Sequence, residues 1–254
     1  MFSSAIVRIP GKSLIDGLTD SKHLGVPDYA NAINQHKSYI KALQFCGLEV
    51  TILEPCEEYP DSTFVEDVAL ITPRCAIITR PGAESRRGEV EKIISVLETQ
   101  FNNLEAIEAP GTIEAGDIMM VGSHYYIGLS DRTNIQGAKQ LINLLEKHGY
   151  TGSTVNLKDV LHLKTGLSYL ENNMLVVCGE FISDPIFSEF EQIEIPQSES
   201  YAANSIWVND NVIMPSGYPV AKDKISGTGY NVLEVDVSEF KKLDGGLSCL
   251  SLRY

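Results

Sequence analysis

The sequence predicts an α/β fold built as a five-bladed α/β propeller of pseudo-fivefold repeats. Three observations predict it. First, a unit of strand, hairpin, strand, helix and strand recurs at a spacing of about 51 residues over the 254 of the chain. Second, the dominant local link is a two- to three-residue hairpin, which makes antiparallel pairs and argues against an ordinary doubly wound parallel sheet. Third, the two ends are complementary halves of one unit. AIVRIP at 5–10 reads as a second strand leading to a helix, and LSCLSLRY at 247–254 reads as a first strand. An array whose ends complete each other is expected to close into a ring, which removes exposed sheet edges. The expectation is one domain spanning 1–254.

Each element follows from the local pattern. Residues 28–46 open at Asp28 after Pro27, carry Ala32, His36, Tyr39 and Leu43 on one stripe, and stop at Gly47, so they predict a helix; EVTILEP follows as a strand. VALIT and CAIITRP predict a strand pair, and residues 86–101 a helix capped by Ser85 with Val90, Ile93, Ile94, Leu97 and Phe101 on one face. EAIEAP follows. DIMMVG and HYYIGLS flank a Gly122-Ser123 turn. A helix over 133–148 then places Ala138, Leu141, Ile142 and Leu145 together and ends at Gly149, before STVNL. SYLE and MLVVCGE flank Asn172-Asn173, and SIWV and VIMPSG flank Asn209-Asp210-Asn211. A weaker helix over 219–230 leads into NVLEVD.

The units also start alike in chemistry: STFVED (62–67), GTIEAGD (111–117), HLKTGLS (162–168), YAANS (201–205) and GGLSC (245–249). A functional site is expected where these starts converge on the ring axis. Composition narrows its chemistry. With 20 Lys and Arg against 34 Asp and Glu, the net charge is −14, which argues against nucleic-acid and anionic-membrane surfaces. The five cysteines form no CxxC pair and the five histidines no HxH or HExxH spacing, so neither a zinc ribbon nor a catalytic metal is indicated. No apolar run is long enough to span a membrane, and no signal peptide is visible, so the expectation is a cytoplasmic protein with reduced thiols.

FVED at 64–67, GTIEAGD at 111–117, LHLKTGLSYLE at 161–171 and DGGLSCLSLR at 244–253 resemble, in order and spacing, the motifs of the pentein or guanidine-modifying superfamily. Within it the chain is similar to the dimethylarginine dimethylaminohydrolases. The resemblance runs from the LIDGLT loop at 14–19 to the C-terminal strand and includes no room for the inserted helical domain of arginine deiminases. It implies hydrolysis of N-methylated arginines to citrulline and a methylamine, without cofactor or metal. An arginine deiminase-like guanidine hydrolase and a non-catalytic binding protein of the same fold stay open. The implied partner is a small methylated arginine; a homodimer is the assembly carried as an expectation.

A guanidinium is planar, cationic and a poor electrophile. Its hydrolysis needs a soft nucleophile, carboxylates that fix the plane, and an acid for the departing amine. Cys249, after Gly245-Gly246, is the nucleophile expected; His162, titrating near working pH, is the acid and base. Glu114 and Asp67 are expected to accept the guanidinium N–H forks. Each has a second acid nearby, Asp117 and Glu66, and one acid of each pair is expected to be structural, paired to Lys164 or to a backbone amide. The resemblance puts Glu114 and Asp67 on the guanidinium and Glu66 close by. It further implies that Arg86 and Arg132, at equivalent positions on a rim, hold the α-carboxylate. Asp61 and backbone carbonyls near Leu18 and Leu243 hold the α-amine, Phe64 walls the alkyl stem, and the segment with Leu18 is a mobile lid. Cys46, Cys56, Cys75 and Cys178 are expected to be inert.

Overall fold

The structure, a computed structural model, describes residues 1–254. It contains five three-stranded sheets, each with one antiparallel and one parallel pairing. The antiparallel pair is the hairpin or its equivalent; the parallel pair needs a crossover, which is where a helix sits.

In chain order, β1 (Ser4–Arg8) is followed by α1 (Tyr29–Phe45) and β2 (Glu49–Leu53). The Asp28 side chain caps α1 by accepting from the Asn31 N–H. The predicted stripe of Ala32, His36, Tyr39 and Leu43 is buried. The next repeat has β3 (Ala69–Ile71), β4 (Ala76–Ile78), α2 (Glu91–Gln100) and β5 (Leu104–Ala106). Then come β6 (Ile118–Val121), β7 (His124–Leu129), α3 (Ile135–Lys147, capped by Asn134) and β8 (Thr151–Asn156). The fourth repeat has a short α4 (Leu163–Gly166), then β9 (Leu167–Tyr169), β10 (Met174–Val177) and β11 (Glu191–Glu194). The fifth has β12 (Ile206–Val208), β13 (Asn211–Pro215), α5 (Pro219–Gly227) and β14 (Asn231–Val235). A short α6 (Ser238–Lys241) precedes β15 (Leu252–Arg253). β15 pairs antiparallel with β1, which pairs parallel with β2, so the chain ends complete one sheet as expected. The turns expected at Gly122, Asn172-Asn173 and Asn209-Asp210 all hold residues at positive φ.

Three expectations need correction. The helix expected from 86 begins at Glu91. Residues Glu84–Val90 wind as a 3₁₀-helix, and Ser85 caps nothing, because Arg86 and Glu89 turn inward here. The fourth repeat has no long helix; two 3₁₀ turns at Gly179–Phe181 and Pro185–Phe187 make its crossover, and the strand β11 was not anticipated. The predicted C-terminal strand is shortened by a 3₁₀ turn at Ser248–Leu250.

The chain divides into two compact units: Met1–Val65 with Gly166–Tyr254, and Glu66–Thr165. The first holds two apolar cores, one around Ala5, Tyr39, Leu43, Ile213 and Phe240 and one around Val176, Ile193, Val212 and Met214. The second is organised around Ile77, Ile113, Ile127, Leu141 and Leu145. No helix is long and apolar enough to cross a membrane.

Candidate active site

A short helical turn precedes the first strand of every sheet: Val65–Val68, Ala115–Asp117, Leu163–Gly166, Gln197–Ala203 and Ser248–Leu250. These turns coincide with the five chemically similar unit starts. Each reverses the chain so that a polar side chain is held beside the strand end.

In the unit 66–165, three such turns bring Asp67, Glu114 and His162 together, all buried. His162 Nε2 lies 2.8 Å from Glu114 Oε2. Glu114 Oε1 accepts the Ala83 N–H at 3.2 Å, and Arg132 Nη1 stands 3.8 Å from it. Asp67 accepts the Gly116 N–H on Oδ1 at 3.0 Å and the Arg86 guanidinium on Oδ2 at 2.7 Å. Gly116 fits because a Cβ there would sit 2.8 Å from His162 Nδ1 and 3.0 Å from Asp67 Oδ1. Asp117, fully buried, accepts from Ser130 Oγ at 2.7 Å and from the Leu163 N–H at 2.9 Å. Glu66 is ion-paired with Lys164. Asp117 thus meets a backbone amide and Glu66 meets Lys164, while Asp67 and Glu114 each accept a backbone N–H as well.

Burial by itself disfavours a charged imidazole, but the carboxylates of Asp117, Glu114 and Asp67 more than offset it and raise His162 to about 9. Glu114 answers in the opposite sense. Burial would raise it, yet the hydrogen bond and charge of His162 and the charge of Arg86 bring it well below the ordinary range. The cluster is therefore an imidazolium–carboxylate pair at neutral pH. Donor atoms of Asp67, Glu114 and His162 lie within 4.8 Å of one another, a spacing a metal ion can use. Here the positive charge between them comes from Arg86 and the imidazolium.

Arg86 departs from expectation. It is buried, not on a rim, and its guanidinium is divided between Asp67 and Glu89, the latter at 3.0 and 2.9 Å. Two carboxylates on one guanidinium satisfy its charge and fix Asp67. Arg132 keeps about a quarter of its side chain exposed, and its backbone passes so close to Gly82 that a Cβ there would meet it at 2.4 Å.

In the other unit, Cys249 is buried in the Ser248–Leu250 turn, with the Gly246 N–H directed at its sulfur at 3.4 Å. Asn204, from the equivalent turn of the preceding repeat, bonds both the Ser248 hydroxyl and N–H at 3.0 Å. Phe64 packs flat on Gly245, where a Cβ would meet its ring at 2.2 Å, and edge-on to Phe240. Asp61 accepts the Leu18 N–H at 3.0 Å, and Leu243 lies against Gly17. The 14–19 segment is partly anchored: Leu14 is fully buried and Thr19 Oγ1 donates to the Lys242 carbonyl, while Leu18 remains exposed. Burial raises the Cys46 thiol to about 11 and pushes Cys75 and Cys178 upward as well, which disfavours the nucleophilic thiolate in each. Glu89 and Asp117's hydroxyl partner Ser130 lie outside the quoted motifs, and Asn204 and Tyr201 stand in the YAANS unit start with no role assigned to them; their partners lie 3 to 44 residues away.

Five repeats of this kind, carrying a buried imidazolium–carboxylate pair and a cysteine in a repeat-start turn, define the guanidine-modifying, or pentein, class. A sequence profile described as "N,N dimethylarginine dimethylhydrolase, eukaryotic" matches residues 27–250. A curated N(G),N(G)-dimethylarginine dimethylaminohydrolase from Pseudomonas aeruginosa is 61% identical over 100% of both chains, and one from Streptomyces coelicolor is 31% identical over 98% of this chain and 96% of the relative. The chain belongs to the dimethylarginine dimethylaminohydrolase family. A solved structure of the Pseudomonas enzyme, a Cys-to-Ser mutant complexed with citrulline, superposes with a TM-score of 0.99 over 100% of both chains. The N-terminal domain of ArgZ shares the fold at 20% identity, with a TM-score of 0.89 over 98% of this chain and 97% of that one.

Proposed function

We propose that this chain is a dimethylargininase acting as one catalytic domain: it hydrolyses N-methylated arginines to citrulline and a methylamine through a covalent cysteine adduct. The observation that carries the reading is the buried His162–Glu114 pair, in which the imidazole holds a proton at neutral pH for delivery to a leaving group.

In this reading Glu114 and Asp67 accept N–H bonds from the guanidinium, and Arg132, about a quarter exposed, receives the α-carboxylate. Arg86 holds Asp67 in place. Asp61 and the backbone near Leu18 and Leu243 receive the α-amine, and Phe64 lies along the alkyl stem. The Cys249 sulfur attacks the guanidinium carbon. As the C–N bond breaks, His162 gives its proton to the departing methylamine, and a thiouronium remains on Cys249. Water then adds to the same carbon, surrendering a proton to His162; the C–S bond breaks and citrulline leaves. The structure of the Pseudomonas relative with citrulline, and that of an H162G adduct with S-methyl-L-thiocitrulline, support this order of bonds.

The test is a side-by-side kcat/KM for dimethylarginine, monomethylarginine, arginine and agmatine, with Cys249→Ser as the control. The expected result is turnover of methylated arginines and none by the variant, because a hydroxyl is a far weaker nucleophile near neutral pH. Equal or better turnover of arginine would move the chain to the deiminases. Full activity in Cys249→Ser would end the covalent reading.

A further inference from the structure

We propose that Tyr201 is a positioning residue for the nucleophile: its hydroxyl sets the orientation of a peptide group that points an N–H at Cys249. The proposal rests on the role given to Cys249 above.

The Tyr201 hydroxyl donates to the Gly245 carbonyl at 2.7 Å. The Gly246 N–H is directed at Cys249 Sγ at 3.4 Å. That carbonyl and that N–H belong to the same peptide unit. The unit is trans, since the chain's single cis peptide lies at Ala109-Pro110, so its C=O and N–H point to opposite sides of one rigid plane. Rotation of the plane that breaks the Tyr201 bond also swings the N–H off the sulfur. The flanking residues are both glycines, which leaves the plane free to rotate unless something holds it. Phe64 blocks one side of Gly245 and Asn204 one side of Gly246, and the Tyr201 hydroxyl holds the carbonyl between them.

Tyr201 is itself held. Lys241 lies over its ring at 4.9 Å and over Tyr218 at 5.4 Å, and the Lys241 ammonium donates to the Tyr218 hydroxyl at 2.9 Å. Burial of its hydroxyl and the nearby Cys249 keep the Tyr201 phenol well above its ordinary value, so it remains a donor across the working range. An N–H aimed at a sulfur favours the thiolate, and a bond to a charged acceptor is stronger than one to a neutral one. The Tyr201 hydroxyl therefore acts on the reaction without touching substrate.

Tyr201→Phe deletes the hydroxyl and keeps the ring against Lys241 and Tyr218. The expected result is a kcat about five- to tenfold lower with KM changed less than twofold, and an iodoacetamide inactivation profile displaced to higher pH. Thermal stability should stay close to wild type. Tyr218→Phe serves as the comparison: it removes the partner of Lys241 but leaves the Gly245 carbonyl bonded, and its inactivation profile should match wild type. A Tyr201→Phe profile that overlays wild type overturns the proposal. So does an equal displacement in both variants, which would mark a loss of packing only. If Cys249→Ser is inactive while Tyr201→Phe behaves as wild type, the nucleophile assignment stands and this inference alone fails.

Discussion

Replacing Glu114 by Gln isolates the share of Glu114 in keeping His162 charged. Gln preserves the shape and an acceptor oxygen 2.8 Å from Nε2 but removes the charge. A hydrogen bond to a charged partner is worth roughly 1.5–3 kcal/mol and a neutral one about 1, so the substitution removes on the order of 1–2 kcal/mol from the imidazolium, or about one pKa unit. Asp117 and Asp67 remain and keep part of the effect. The His162 midpoint should therefore fall from about 9 to about 8. Stability follows with a fixed sign. A histidine raised from 6.5 to about 9 on folding contributes on the order of 3 kcal/mol, shared with Glu114; it is fully present below pH 6.5 and lost as pH rises through 9. Proton NMR of the His162 ring, assigned with His162→Gln, gives the midpoint, and urea unfolding at pH 6 and pH 10 gives the stability. A midpoint that stays within a few tenths of wild type would refute Glu114 as a partner that helps hold the imidazolium. A wild-type midpoint at or below 6.5 would refute the imidazolium itself.

Burial lowers His36 to about 4, and its Nε2 has no hydrogen-bond partner, so stability is full above pH 6.5 and falls as pH drops toward 4. His36→Leu should flatten that decline in urea midpoints measured at pH 7 and pH 4.5; an unchanged slope would assign the acid sensitivity elsewhere. Gly116→Ala forces a methyl against His162 and Asp67, which should cost about 1–3 kcal/mol by overpacking and lower kcat at least tenfold; wild-type kcat in a folded variant would show that His162 yields freely. Arg132→Ala should raise KM about tenfold or more while changing kcat little, and an unchanged KM would remove Arg132 from the carboxylate site.

The repeat was legible because its signals are local. Hairpin residues such as Gly122-Ser123 and Asn172-Asn173 fix turns by backbone chemistry, and the stripe of α3 is set by 3.6-residue spacing. Unit starts stood out because polar residues interrupt apolar strands at one phase of the repeat. Arg86 was misplaced because helix periodicity cannot see a carboxylate 19 residues away; the pull of Asp67 and Glu89 overrides the expected cap at Ser85. The fourth crossover was unreadable for the opposite reason. Its two three-residue turns are too short to carry any period. Tyr201 stands in the YAANS unit start, but no local pattern shows that its hydroxyl bonds a carbonyl in the next repeat start.

The pairing of Ala5 with Arg253 in one sheet sets an order of events during synthesis. Residues 66–165 find their partners within a contiguous stretch, so they are able to assemble while the chain is still emerging. The first strand has to wait for Leu252–Arg253, because β15 supplies one of its two neighbours. Long-range pairings of this kind are the slow ones. Cys249 sits three residues ahead of β15, in the stretch that brings this strand to its sheet. The thiol is therefore seated only once β15 joins β1, whereas residues 66–165 bring Asp67, Glu114 and His162 together without Cys249.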